Sequence, residues 1–264
     1  MLRKQPPHLL WVSVLASFVI AGCGSSKPQA PTREAEAASP AAQPQEQAAA
    51  YTVQDLPSGV VDGRVLLHGA PPPPKKVPVT QDQETCGKTR EIFPVRVEKG
   101  GVDDAVIWID DIQRGKAFDL PAAGIQQHDC AYVPHVVIMG PGDLKISSQD
   151  PIPHNVHTYA QHNREYNESM NQLRRDVSVS FARPEVISIR CDLHGWMQAY
   201  AVIAKNPYYV ISANGGNFRL EGIPAGQYHL KIWSEALGES EQPITVQAGQ
   251  TTNVNFTLDS KPIS

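Results

Sequence analysis

The sequence predicts an all-β protein of sandwich type, built as two β bodies behind a long non-globular N-terminus. Three observations carry this. Short runs rich in Val, Ile, Phe, Tyr and Trp recur between Gly, Pro and Asp turn signals. Within that β-rich region only Gln161 to Asp176 lacks a period-2 pattern. The composition changes after Lys205-Asn206-Pro207, where a second set of strand and turn signals begins.

In chain order, residues 1–22 read as an export signal. Arg3 and Lys4 supply a positive start, and Leu9 to Ile20 is apolar except for Ser13 and Ser17, too short for a stable membrane span. Ile20-Ala21-Gly22-Cys23 resembles the bacterial lipobox, which implies cleavage before Cys23 and lipidation of its sulfur. Residues 23–56 follow as a tether. The stretch to Ala50 is rich in Ala, Pro, Gln, Ser and Glu and has too little apolar surface to fold. A flexible chain of about 30 residues reaches on the order of 30 Å, enough to hold a folded body off a membrane. About 210 residues remain, room for one large or two small domains.

The predicted strands of the first body are Ile92–Val97, Ala105–Ile109, His135–Met139, Val177–Phe181, Val186–Arg190 and Tyr200–Ile203. Glu98-Lys99-Gly100-Gly101, Pro141-Gly142-Asp143 and Arg183-Pro184-Glu185 supply turns between them, and Gln161–Asp176 reads as a polar loop with one or two helical turns. In the second body, Asn214-Gly215-Gly216-Asn217 is a strong hairpin turn. Phe218-Arg219-Leu220, Gly222–Trp233 and Val254–Leu258 are its strand signals.

The chemistry concentrates in two segments, Pro153-His154-Asn155-Val156-His157 and Cys191-Asp192-Leu193-His194-Gly195-Trp196-Met197. Two imidazoles, a thiolate and a thioether are the ligand set of a type 1 copper site, with Met weak and axial. Three of the four stand on one short loop, so the fold must bring His154 to it. Odd spacing along a strand puts His157 on the face opposite His154. His128, His135 and His162 have no ligand pattern around them. With Cys23 given to lipid and Cys191 to metal, Cys86 and Cys130 remain. Two spare thiols in an exported protein usually pair, closing a loop of about 45 residues for about 2–4 kcal/mol. The rival is that one of them binds a second metal with His128.

The two ligand segments resemble the cupredoxins, and the local match is closest to amicyanin-like members. The likeness spans roughly residues 80–205, and the domain is placed at 81–206. It implies a Greek-key sandwich holding one type 1 copper at one end, with His154, Cys191, His194 and Met197 as ligands. It implies also that Asn155 ties the two ligand segments together. Trp196 stands where such loops carry a bulky apolar residue, which shields the metal, forms a docking surface or simply packs the loop. Residues 207–264, through G-x-F-x-L, I-P-A-G-x-Y and a final alternating strand, resemble the carboxypeptidase-regulatory-like, transthyretin-like sandwich. Gly59–Gly69 resembles the opening strand of that same family. Residues 57–80 then either belong to the C-terminal sandwich, making the copper domain an insertion, or form the edge of the copper domain.

The net charge is −4 with no basic stripe, which argues against a nucleic-acid partner. The expected function is a lipid-anchored copper protein passing single electrons between a redox donor and acceptor in the cell envelope. Gly24 after the lipid cysteine weakly favours the outer membrane. The alternative is a non-redox envelope binding module in which copper is bound or stored. Only one full ligand set is present and the other histidines are scattered, so an enzyme with several copper centres is not expected.

Overall fold

The computed structural model describes residues 51–120 and 122–260. The segments expected as export signal and lipobox, with Cys23, and most of the expected tether lie outside the described residues. The first strands are β1 (Thr52–Val53), β2 (Ser58–His68) and β3 (Lys75–Pro78), followed by one turn of helix, α1 (Gln83–Cys86). Next come β4 (Thr89–Ile92), β5 (Arg96–Glu98), β6 (Gly101–Asp103), β7 (Val106–Ile109) and β8 (Arg114–Gly115). The central strands are β9 (Gly124–His128), β10 (Ala131–Val133), β11 (Val136–Met139), β12 (Gly142–Ser148), β13 (His154–Tyr159), β14 (Asn167–Met170), β15 (Asp176–Phe181), β16 (Glu185–Arg190) and β17 (Gln198–Ile203). The last are β18 (Tyr209–Ile211), β19 (Asn217–Pro224), β20 (Gly226–Ser234), β21 (Gly238–Val246) and β22 (Thr251–Asp259).

These strands make two sandwiches. In the first, β10-β9-β12-β15 faces β11-β17-β16-β13-β14. β12 pairs with β15 while the intervening β13 and β14 lie in the opposite sheet, the crossing of a Greek key. Ile125, Leu144, Ile146, Phe181, Ile187 and Ile189 fill its core. Period-2 alternation produces this directly: β15 buries Val177, Val179 and Phe181 and exposes the residues between. In the second sandwich, β18-β7-β20-β21 faces the sheet of β19, β2, β6, β5 and β22, around Val61, Val65, Ile107, Leu230, Ile232 and Phe256.

A third, smaller core joins the two. Val136 and Val202 of the first sandwich meet Val106 of the second, with Trp108, Ile138, Tyr200, Tyr209, Ile211 and Trp233 around them. The result is four large sheets in layers with an apolar seam in each gap, and two two-stranded sheets, β1-β8 and β3-β4, besides them. β7 borders two seams: Ile107 faces the second sandwich's core and Val106 the joining seam.

Several sequence expectations change here. β2 pairs with β19 on one side and β22 on the other, so the first long strand belongs to the C-terminal sandwich and the first sandwich is inserted within it. The domain start expected at residue 81 is also overturned. β5, β6 and β7 belong to the second sandwich, because β6 pairs with β2 and β7 with β18 and β20. A strand with both faces buried reads as a plain apolar run, which does not reveal its sheet. The strand expected over Ile92–Val97 is split around Phe93–Val95; its first part, β4, pairs with β3, and its second, β5, with β6. The polar stretch 161–176 contains no helix; it carries β14, paired with β13. The tether ends before residue 56. The Tyr51 ring packs edge-on to Phe118 and Tyr208, its hydroxyl donates to the Lys116 carbonyl, and β1 pairs with β8. The turn at Asn214-Gly215-Gly216 has positive φ at all three residues. A Cβ on Gly216 would sit 2.2 Å from the Val65 carbonyl oxygen, so only glycine fits.

Candidate metal centre

His154 opens β13, while Cys191, His194 and Met197 lie on the loop joining β16 to β17. β16 pairs with both β13 and β17, and this brings the two segments together at one end of the sandwich. The loop is closed by its own backbone: Cys191 N donates to the Met197 carbonyl (3.3 Å), and Met197 N to the His194 carbonyl (2.8 Å). All four residues are buried, each with no more than 2% of its surface exposed.

Three donor atoms converge. His154 Nδ1 and His194 Nδ1 are 3.0 Å apart, and Cys191 Sγ lies 3.8 Å and 3.7 Å from them. Donors about 2.0 Å (nitrogen) and 2.3 Å (sulfur) from one shared ion in a trigonal plane would stand roughly 3.5–3.7 Å apart. The sulfur–nitrogen spacings match, and the nitrogens need to part by about half an ångström. Met197 sits in the same core.

The far side of each ring explains its orientation. His154 Nε2 donates to Asp150 Oδ2 (2.9 Å), and His194 Nε2 donates to Asp82 Oδ2 (3.1 Å). An ionised carboxylate only accepts, so each Nε2 carries the proton and each Nδ1 presents a lone pair inward. Two bare lone pairs 3.0 Å apart repel unless a cation lies between them. Burial pushes the Cys191 thiol above its ordinary pKa, against the pull of the backbone N–H groups of Asn155, His194 and Leu193. Burial likewise holds His154 below its usual value, helped by neighbouring His194 and opposed by Asp150. A bound cation reverses the penalty on the thiolate and favours the neutral imidazoles. The donor set therefore fits a soft, thiolate-binding metal ion such as copper.

Other side chains hold the two segments in register. Asn155 Oδ1 accepts from Asp192 N (2.7 Å), while its Nδ2 donates to Asp192 Oδ2 (2.8 Å) and Asn167 Oδ1 (2.8 Å). His157 points the other way from His154 and bonds Asp192 at 3.0 Å. The Tyr132 hydroxyl lies 2.7 Å from the Asn155 carbonyl and 3.1 Å from the Arg190 carbonyl, the residues next to His154 and Cys191. Trp196 packs its ring 5.1 Å from that of His194 and donates from Nε1 to the Cys130 carbonyl (3.0 Å).

Cys86 and Cys130 form a disulfide. Cys130 also lies close to Asp150 and His154, but its sulfur is spent in that bond, so this second cluster is not a separate ligand set. His135 sits at the joining seam against Glu235, and His128 and His162 are exposed. Sequence reasoning missed Asp82, Asp150 and Tyr132. Asp150 stands four residues before His154, a spacing with no meaning on an irregular approach to a strand. Asp82 and Tyr132 reach the centre only through the tertiary fold.

Fold and site together give a Greek-key β-sandwich with a buried His–Cys–His group, inserted in a second β-sandwich. The family model for the carboxypeptidase regulatory-like domain matches residues 197–259. That span begins in β17, which pairs inside the first sandwich. No curated protein matches the sequence. Among solved structures, a copper-containing nitrite reductase from Thermus scotoductus SA-01 is similar at 14% identity and TM-score 0.30, over 34% of this chain and 24% of that one. This chain thus spans about a quarter of that reductase. A purple cupredoxin from Nitrosopumilus maritimus is similar at 17% identity and TM-score 0.27, over 31% of this chain and 99% of its own. An oxidised amicyanin mutant is similar at 20% identity and TM-score 0.29, over 31% and 82%. These scores are too low to bear on function, and the copper assignment rests on the donor geometry.

Proposed function

We propose that the chain is a lipid-anchored copper protein that carries single electrons in the cell envelope and catalyses no reaction of its own. The observation that carries this is the convergence of two inward Nδ1 atoms and the Cys191 sulfur within 3.0–3.8 Å, beside Met197. Copper bound there supplies a one-electron couple, and thiolate ligation eases electron transfer. The chain's own residues keep the site ready for either oxidation state. Asp150 and Asp82 fix the ring tautomers, Asn155 and Tyr132 lock the ligand-bearing segments, and burial excludes water. The four residues are all buried, which favours a carrier that meets a donor and an acceptor protein. The lipobox-like Ile20–Cys23 supports a lipid anchor at Cys23 and an envelope location, the outer membrane being favoured.

The test is an anaerobic copper titration followed by visible spectroscopy and voltammetry. One equivalent of copper should produce an intense thiolate-to-copper band, absent in Cys191→Ser, and a reversible one-electron couple. A band that survives Cys191→Ser, or copper binding with no reversible couple, would sink the proposal.

A further inference from the structure

The metal centre is covered by a segment outside both sheets of its sandwich. β3, α1 and β4 form a hairpin strap that leaves the second sandwich after β2 and returns to it at β5. Val79 and Cys86 sink into the core of the metal-bearing sandwich, and Cys86 is bonded to Cys130. Arg90 Nη2 donates to the Asp129 carbonyl (2.8 Å), Gln81 Nε2 donates to the Leu193 carbonyl, and Asp82 accepts from His194. These anchors all land on two loops, Asp129–Cys130 and Leu193–His194.

Asp82 is placed for this contact by its backbone. It precedes α1 with φ +54° and makes no side-chain cap bond to that helix, which leaves its carboxylate turned to His194. His194 stands between exposed Leu193 and Gly195, yet is itself fully buried. Without the strap the ring would lie at the edge of an exposed loop, free to turn its Nδ1 away from Cys191.

We infer that Asp82 is a positioning residue for the metal ligand His194, and that the strap carrying it closes the centre against solvent and metal exchange. This rests on the copper reading above. Asp82 holds Nε2–H and so keeps Nδ1 pointed inward. Its negative charge also stabilises the more positive, oxidised state of the centre. The disulfide keeps the strap seated, because it fixes the strap a few residues from Asp82.

The test compares wild type with Asp82→Asn and Asp82→Gly, two residues that accept a left-handed backbone, so the variants separate the carboxylate's role from local strain. Thermal melts of the metal-free proteins check that both fold. Asp82→Asn should raise the midpoint potential. Asp82→Gly should speed copper removal by a chelator at least about tenfold, the usual scale for losing a ligand's hydrogen-bond partner. It should also speed labelling of the metal-free Cys191 thiol by an aromatic disulfide. Folded variants with unchanged potential, chelator rate and labelling rate overturn the inference. If wild type forms no visible copper band, the copper reading falls, and the labelling rate of the metal-free variants still decides whether Asp82 holds the strap closed.

Discussion

Tyr132 bridges the two segments that carry His154 and Cys191 through a single atom. Its hydroxyl serves the carbonyls next to His154 and Cys191, and it accepts in turn from Gln127 Nε2 (3.3 Å), inside a site from which water is excluded. Burial pushes its phenol pKa far above the ordinary value, so it stays a donor at any working pH. Tyr132→Phe keeps the ring but removes the donor to both carbonyls, leaving the Asn155 carbonyl the longer bond from Gln127 Nε2 (3.3 Å). We expect a loss of about 1–3 kcal/mol in urea unfolding, with the midpoint lowered and the slope unchanged. Asp150 carries a different load: besides His154 it accepts from the backbone N–H of Asp129 (2.8 Å) and Cys130 (3.0 Å). Asp150→Ala therefore loses three bonds at once. Its copper affinity should fall roughly 10–100-fold in competition with a chromogenic chelator. An affinity equal to wild type would remove Asp150 from the site.

At the scale of elements, the parts that were legible in sequence are those whose physics is local. β15 and β16 alternate cleanly because one face is buried, and the Cys191–Met197 segment is legible because its chemistry-bearing residues are close together in sequence. His157 was read correctly as facing away from His154, since strand geometry alone dictates that. What was not legible depends on partners distant in sequence. β7 is apolar on both faces because it separates two cores, and nothing within Val106–Ile109 says which sheet it joins. The strap is a short hairpin whose purpose appears only when Asp82 meets His194. This division yields a prediction for β7. Ile107 is fully buried in the second core and remote from the metal loop in sheet order. Ile107→Ala should cost about 2–5 kcal/mol of stability by leaving a cavity. The visible band of the copper-loaded folded variant should keep its position. A shifted band would mean that the two sandwiches do not insulate the centre from one another's packing.

At the scale of the whole molecule, the joining seam is apolar at its middle and ionic at its margin, and the margin titrates. His135 Nε2 contacts Glu235 Oε2 at 2.7 Å across the two sandwiches, and its Nδ1 contacts the Gln198 carbonyl at 3.1 Å. Both ring nitrogens face acceptors, an arrangement only the imidazolium fully satisfies. Burial opposes that charge, but the hydrogen bond and charge of Glu235, with Asp104 further off and the Gln198 carbonyl, outweigh it and raise the His135 pKa. The Tyr200 ring lies edge-on at 5.7 Å and adds no charge at these pH values. A folded pKa above the unfolded one stabilises the protein fully below the unfolded value, about 6.5, and the gain is lost as pH rises through the higher folded value. Both side chains are about one-third exposed, so solvent screening holds the effect to about 1 kcal/mol or less. His154, whose pKa is lowered, acts in the opposite direction in both proteins, so the test is a comparison: from pH 5.5 to pH 8.5 the urea midpoint of wild type should fall relative to that of Glu235→Gln. Glu235→Gln keeps the shape but not the charge, so the His135 contribution should vanish from its profile. Parallel profiles for the two proteins would show that His135 does not charge in the folded state, and that the seam is held by Val106, Val136, Val202 and their aromatic neighbours alone.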